Sequence, residues 1–167
     1  KNNLRYLPEG CLTGKLVTLK AGNNELKSLP EIIANCRSLN ILDLENNDIL
    51  YFPLEMDKMK SLRSLNISRN NLTSIPYQIC LIGTLENLWL NGNNIMHVPE
   101  TIYMLVNLKK LYLDKNQIYE FPRPVISLNK NLVELSLKSN YITYVPDDVK
   151  KMNLGFLYLQ NNPITSI

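Results

Sequence analysis

Seven prolines recur along this chain at an almost constant spacing, and that period restricts the fold more than any other feature. Each proline follows a large apolar residue, and successive prolines are separated by 22, 23, 23, 23, 23 and 24 residues. The series consists of Pro8, Pro30, Pro53, Pro76, Pro99, Pro122 and Pro146. A period of roughly 20–50 residues indicates a stack of similar units, because one unit of that length cannot bury its apolar face alone.

The residues before each proline follow one template, L-x-x-L-x-L-x-x-N-x-L-x-x-L-P, in which other apolar residues replace some leucines. After a partial copy over residues 1–15, seven copies begin at Leu16, Leu39, Leu62, Leu85, Leu108, Leu132 and Leu154. This many copies in one register exclude coincidence. We therefore predict a single repeat domain over residues 1–167, and we expect that both of its ends fall inside a repeat.

The template predicts a layered repeat. Leu88 and Leu90 alternate with other residue types, which predicts a short strand with one buried face. Stacked copies would place such strands side by side in one parallel sheet. After Pro99, apolar residues follow at Ile102 and Leu105, and this three-residue interval favours a 3₁₀ or single helical turn. We predict an α/β solenoid with a concave parallel sheet and a convex side of 3₁₀ turns, short helices or loops.

An asparagine occupies the ninth position of every full template. The chain turns away from the strand there, so backbone N–H and C=O groups are left inside the core, and a short amide side chain can bond both. We predict a buried ladder of these side chains, each bonding its own and an adjacent repeat. Its members are Asn24, Asn47, Asn70, Asn93, Asn116, Asn140 and Asn162.

The template with its L-P-x-x-I-x-x-L-x-x-L continuation resembles the leucine-rich repeat family over the whole chain. Its 23-residue form is similar to the Ras-associated intracellular group, which includes Ras-suppressor-like scaffolds, LAP-type polarity scaffolds and the repeat region of fungal adenylate cyclase. The resemblance implies a right-handed superhelix and a cytoplasmic scaffold in signal transduction. It also implies a protein partner, for which a small GTPase or a phosphatase is a candidate.

The concave sheet is the predicted binding surface, because side chains at the third, fifth and seventh template positions point away from the core. Tryptophan and tyrosine dominate binding hot spots, and charged positions help to set a partner's register. The predicted binding residues are Trp89, Tyr112, Phe156, Tyr158, Asp43, Glu45, Asn66, Lys110, Asp114 and Lys138. A second interpretation stays open, in which Trp89 and Tyr112 merely cover each other as a cross-strand pair.

Two further surface features follow from the template. Acidic and basic residues segregate between repeats, with Asp43, Glu45 and Asp48 on one side and Lys109, Lys110, Lys115 and Lys138 on the other. The loops after the asparagine form an unusually apolar rim, which is the second candidate contact surface. We call these residues the aromatic rim: Leu50, Tyr51, Met96, His97, Tyr119, Tyr141 and Tyr144.

The sequence carries no recognisable catalytic or cofactor-binding motif. It has one histidine, His97, and lacks a phosphate loop, a nucleophile elbow and clustered metal ligands, so we predict no enzyme activity, no cofactor and no metal. A net charge of +3 lacks the basic footprint of nucleic-acid proteins, and no apolar stretch is long enough for membrane insertion. Three widely spaced cysteines predict reduced thiols and hence a cytoplasmic location.

Two functions fit this sequence. The first is a free-standing adaptor that binds a protein on its concave face, and the second is a regulatory segment of a larger signalling enzyme such as a kinase, cyclase, phosphatase or nuclease. Terminal repeats without polar caps should also expose core side chains and cause fraying or end-to-end association. The residues concerned are Leu4, Leu7, Leu154, Leu157, Leu159 and Ile164.

Overall fold

A computed structural model describes residues 2–128 and 130–166. The outer limits of the predicted domain, Lys1 and Ile167, and the single position Asn129 lie outside the described residues. Within these ranges the chain forms one seven-stranded sheet in which every strand lies beside the next one along the chain. The strands are β1 Thr18–Lys20, β2 Ile41–Asp43, β3 Ser64–Asn66, β4 Asn87–Trp89, β5 Lys110–Tyr112, β6 Glu134–Ser136 and β7 Phe156–Tyr158.

The strands pair in parallel and in exact template register, which confirms the α/β solenoid. Leu65 of β3 lies opposite Leu88 of β4, and Leu88 lies opposite Leu111 of β5. All three side chains have 0 % exposure, because each repeat covers the apolar face of its neighbour. Burial of each such leucine contributes roughly 1.5–3 kcal/mol, and it is available only within the stack.

Short helical turns form the convex layer. The 3₁₀ turns span Glu9–Cys11, Glu31–Asn35, Met56–Lys58, Glu100–Met104, Arg123–Leu128 and Asp147–Lys151, and one α-helical turn spans Tyr77–Cys80. Pro30 and Pro99 precede two of them with φ of −70°, which suits the entry to a helical turn. Ile33 and Ile102 then enter the core with 0 % exposure. Among the described residues, no helix has the length and apolar character needed to span a membrane.

A left-handed backbone conformation directly before each asparagine of the ladder was not predicted from the sequence. Gly92 has φ of 66°, and the equivalent Arg69 and Lys115 both have φ of 55°. Asn23, Asn46, Ser139 and Asn161 adopt the same conformation in the other repeats. This conformation turns the chain sharply after the strand. The one glycine and three asparagines in this series could have predicted it from the sequence, since these residue types tolerate positive φ best.

The ladder asparagines bond the turn backbones of two repeats. Asn93 Nδ2 donates to the Leu90 carbonyl of its own repeat at 2.9 Å and to the Ile67 carbonyl of the preceding repeat at 3.0 Å. Its Oδ1 accepts the backbone N–H of Leu72 at 3.1 Å. No buried side-chain nitrogen or oxygen atom in the described part of the chain lacks a hydrogen-bond partner.

The two ends of the stack differ from the interior. Asn162 makes the ladder bonds but is half-buried, because no described repeat lies beyond it. Leu157 and Leu159 are only partly buried against the core, and Leu4 is 40 % exposed. The expectation of an exposed Leu7 is wrong: this side chain is only 4 % exposed and belongs to the core together with residues that follow the first 3₁₀ turn.

Candidate functional site

An aromatic pair lies at the centre of the concave sheet. Trp89 is the last residue of β4 and Tyr112 is the last residue of β5, and the parallel register places them directly opposite each other. Their ring centroids are 5.8 Å apart and their planes differ by 5°, so the rings are stacked. Both side chains are half-buried, which leaves one broad aromatic surface facing the solvent. We call Trp89 and Tyr112 the concave stack.

Burial and a carboxylate on the next strand raise the pKa of Tyr112. Partial burial of Tyr112, followed by its hydrogen bond to Glu134 and the charge of that group, raises the pKa of Tyr112 to about 12. Lys110 lies opposite Glu134 in register, and its Nζ is 3.2 Å from a carboxylate oxygen. The Glu134 side chain is only 15 % exposed whereas that of Lys110 is 47 % exposed, so only the carboxylate of this pair is shielded from water. The repeat template does not predict this effect of Glu134 on Tyr112.

Asp114 has a structural role that the sequence interpretation missed. Its Oδ1 accepts the Lys138 backbone N–H at 2.9 Å and also the hydroxyl of Ser136. Ser136 is only 1 % exposed although its template position was expected to face a partner. The expectation that side chains at these outward positions are free to face a partner is therefore wrong at Asp114 and Ser136, because Asp114 binds the Lys138 backbone N–H and the Ser136 hydroxyl of the next repeat.

A second aromatic group lies at the far end of the face. Phe156 and Tyr158 stack within β7, with ring centroids 6.3 Å apart, and the Lys138 ammonium lies 4.3 Å from the centre of the Tyr158 ring. Ser136 occupies the position between Tyr112 and Tyr158 in the row. The predicted aromatic residues are thus divided into two groups, with the concave stack at the centre and Phe156 with Tyr158 at the edge strand.

Ion pairs reduce the charge segregation that the sequence suggested. Glu45 pairs with Arg69 at 3.5 Å, and Lys109 pairs with Glu86 at 2.7 Å. The hydrogen bond from Lys109 holds the pKa of Glu86 below its usual value. Asp43 belongs to no ion pair among the residues described, and its Oδ1 accepts only the Glu45 backbone N–H.

Two open hollows flank Trp89 on the concave face. The first, which we call the Ile41 hollow, is mainly apolar and is lined by Lys20, Ile41, Leu42, Asp43, Ser64, Asn66 and Trp89. The second has a mixed polar and apolar surface and is lined by Glu45, Asn66, Ser68, Arg69, Trp89, Asn91, Gly92, Asp114 and Lys115. Trp89 and Asn66 border both hollows, so predicted binding residues of β2, β3 and β4 line two adjacent depressions.

The aromatic rim contains a second stacked pair. Tyr119 and Tyr141 have ring centroids 5.4 Å apart and planes 20° apart, and they are 51 % and 52 % exposed. Tyr51 is the most exposed rim residue at 71 %. Grooves beside this pair are lined partly by Phe121, Arg123 and other residues of the fifth repeat. The rim is therefore a real alternative surface, but its aromatic residues are spread over several repeats.

The aromatic, aliphatic and charged side chains on these surfaces suit contact with a partner. Within residues 2–128 and 130–166, no three His, Cys, Asp or Glu side chains are placed to hold a metal ion. Cys36 and Cys80 are fully buried, and burial raises the pKa of both thiols. Acidic, basic and aromatic groups lie on an open sheet, where water screens their charges.

The chain is similar to known repeat proteins in both sequence and structure. A family profile described as leucine rich repeat matches residues 106–164, and another with the same description matches residues 61–81. The chain belongs to the leucine-rich repeat family. A leucine-rich repeat protein of Leptospira interrogans has a similar structure, with a TM-score of 0.80 and 30 % identity over 99 % of this chain and 48 % of that chain. No curated protein matches this leucine-rich repeat chain.

Two plant receptors share the fold. The ectodomain of the Arabidopsis thaliana membrane receptor kinase GASSHO1/SCHENGEN3, in complex with Casparian strip integrity factor 2, aligns with a TM-score of 0.77 and 29 % identity over 96 % of this chain and 20 % of that chain. The plant peptide hormone receptor RGFR1, in complex with RGF2, aligns with a TM-score of 0.78 and 26 % identity over 96 % of this chain and 27 % of that chain. This leucine-rich repeat chain therefore spans less than half the length of the structures it resembles.

Proposed function

We propose that this leucine-rich repeat chain is a non-catalytic scaffold that binds a partner protein on its concave sheet. The concave stack is the observation that carries the proposal. A tryptophan and a tyrosine stacked in register stay half-exposed at the centre of the face, beside two hollows. Rigid aromatic side chains at the centre of a concave surface are the usual form of a binding hot spot.

The comparisons support protein or peptide binding. Both plant receptors are described in complex with a second molecule, and one of them is named a peptide hormone receptor. A solenoid offers a similar concave surface in each case, and its variable positions select the partner. The stacking of Trp89 on Tyr112 agrees with a binding role as well as with mutual covering, so only a binding experiment separates the two interpretations.

The setting we propose is cytoplasmic signalling, in which the partner would be a small GTPase or a phosphatase. The support is the family resemblance of the 23-residue template and two cysteines that occupy core positions as free thiols. A second candidate function is a regulatory segment of a larger signalling enzyme. One match is the ectodomain of a receptor kinase, which shows that such repeats occur next to catalytic domains.

The test uses two of the three stacked aromatic pairs as matched variants. Proteins captured from a lysate of the source cell are compared for the parent, for Trp89→Ala with Tyr112→Ala, and for Tyr119→Ala with Tyr141→Ala. Each double variant removes one stacked pair, but the pairs lie on different surfaces. We expect the partner to be lost from the concave variant, by tenfold or more, and retained by the rim variant.

The opposite result would overturn the proposal. If the concave variant captures the same partner as the parent while both melt alike, the two aromatic side chains only cover each other. Loss of the partner from the rim variant alone would move the binding surface to the aromatic rim. Thermal melts of all three proteins are needed, because a variant that unfolds loses every partner.

A further inference from the structure

The Ile41 hollow has the size and lining of a receptor for one apolar side chain. It holds about 250 Å³ and its lining is mainly apolar, with Ile41 and Trp89 beside it and the fully buried Leu42 beneath. Pockets for drug-sized molecules or cofactors usually hold roughly 300–1,000 Å³ and are more enclosed. Ile41 is 38 % exposed, which leaves an aliphatic surface uncovered on the sheet. A side chain bound in the hollow would be stabilised because it would bury this surface.

One of the residues that line the hollow, Asp43, carries a carboxylate that forms no ion pair within the described part of the chain. Asp43 is half-buried. Lys20 lies opposite it in register, but their charged groups are not in contact. Asp43 Oδ1 accepts the Glu45 backbone N–H at 3.1 Å, and among the described residues Asp43 Oδ2 makes no hydrogen bond, so this second oxygen is available to a partner.

We propose that the Ile41 hollow binds an extended segment of a partner protein that carries a large apolar residue next to a lysine or arginine. The apolar side chain would enter the hollow against Trp89, and the cation would pair with Asp43. This inference rests on the proposed concave binding function and adds the class of segment that is recognised. Lys20 also lines the hollow but is exposed, so water solvates its ammonium, whereas the half-buried Asp43 is less solvated and gains more from a partner's opposite charge. Charge complementarity at Asp43 therefore favours a basic residue.

The probe is a random 12-residue peptide display library, selected on the folded parent chain. Enriched peptides are synthesised, and their binding is followed through the fluorescence of Trp89, the only tryptophan of the chain. Four variants are compared: Ser64→Phe fills the hollow, Asp43→Asn removes its charge, Trp89→Ala with Tyr112→Ala removes the concave stack, and Gln160→Phe adds the same phenyl group far away on the same face. For the double variant, which lacks the fluorophore, labelled peptide anisotropy replaces the tryptophan signal.

We expect the enriched peptides to pair an apolar residue with a lysine or arginine within two positions. Ser64→Phe should weaken their binding tenfold or more, and Gln160→Phe should leave it unchanged. Asp43→Asn should weaken binding about two- to fivefold and reduce its salt dependence, as for a partly exposed ion pair. Ser64 is only half-buried, and thermal melts show whether the filled variant folds; if it does not, Asp43→Asn alone decides.

Several outcomes would overturn the inference. They are the enrichment of acidic or uncharged peptides, the absence of any enriched peptide, and binding that neither Ser64→Phe nor Asp43→Asn changes. Failure of the inference differs from failure of the proposed function. If only the double variant abolishes binding, the concave function stands and the hollow is not the receptor; if the double variant also binds normally, both proposals are wrong.

Discussion

The interior and terminal repeats follow the same template but are not equally buried. Leu88 of the interior strand β4 has 0 % exposure, whereas the equivalent Leu157 of β7 is only partly buried. Likewise Asn93 is 5 % exposed and Asn162 is half-buried, although both make the same ladder bonds. The contribution of a residue to the free energy of folding therefore depends on its position in the stack, because each residue packs against neighbours from both adjacent repeats.

The largest effect is expected from the removal of one core leucine from each region. We expect Leu88→Ala to lower the free energy of unfolding by about 2–5 kcal/mol, because the cavity would be closed on all sides. Leu157→Ala should cost roughly half of that or less, since water already reaches part of the side chain. Urea denaturation followed by circular dichroism measures both, and equal losses would contradict the positional interpretation.

The ladder asparagines provide a second pair of variants. Asn93→Ala leaves two buried carbonyl groups and one buried N–H without their side-chain partner, and we expect a loss of about 1–3 kcal/mol. Asn162→Ala should cost less, because water can replace the lost bonds at the half-buried position. Asn71→Ala, at an exposed neighbouring position, is the control for loss of an amide. A melt of Asn93→Ala that equals the parent's would refute the role of the ladder.

Tyr112 gives an interior repeat its own pH dependence. Its pKa in the folded chain is raised to about 12 from an ordinary value of 10, so the folded state holds the proton more tightly than the unfolded state does. The stabilisation is complete below pH 10 and is lost as the pH rises through about 12.

We therefore expect the melting temperature of the parent to fall more steeply than that of Tyr112→Phe between about pH 10 and 12. Cys36 and Cys80 are present in both proteins, so their titration at alkaline pH cancels in the difference between the two melting temperatures. Tyr119→Phe, from the aromatic rim, controls for loss of one phenol. Parallel curves for the parent and Tyr112→Phe would show that the raised pKa of Tyr112 does not contribute to the pH dependence of stability.

The weakest expected effect is association through the terminal repeats. Phe156 on the edge strand β7 is 55 % exposed beside partly buried leucines, so chains should associate weakly at high concentration. Sedimentation velocity over a concentration series should show this, and Phe156→Lys should reduce it. Tyr77→Lys changes an equally exposed aromatic residue on an interior repeat and should have no effect. A parent that stays monomeric throughout would contradict the prediction.

Much of the candidate site was predictable because the template assigns each residue to a face. The register alone placed Trp89 opposite Tyr112, and the structure stacks their rings. The supporting contacts were not predictable, since Glu134 reaches Tyr112 and Asp114 reaches Ser136 from different strands. Which charges stay unpaired also depends on side-chain reach, so the isolation of Asp43 beside the Ile41 hollow was visible only in three dimensions.

The sequence by itself determined the repeat, the parallel sheet and the identity of the core, because a strict period of apolar residues and asparagines is compatible with few ways of burying them. The tertiary structure decided which equivalent residues are buried, which polar groups are satisfied and where the concave face opens into hollows. The physical reason is that periodicity is a local property of the chain, whereas burial and pairing depend on side chains that come from neighbouring repeats, about 20 or more residues away.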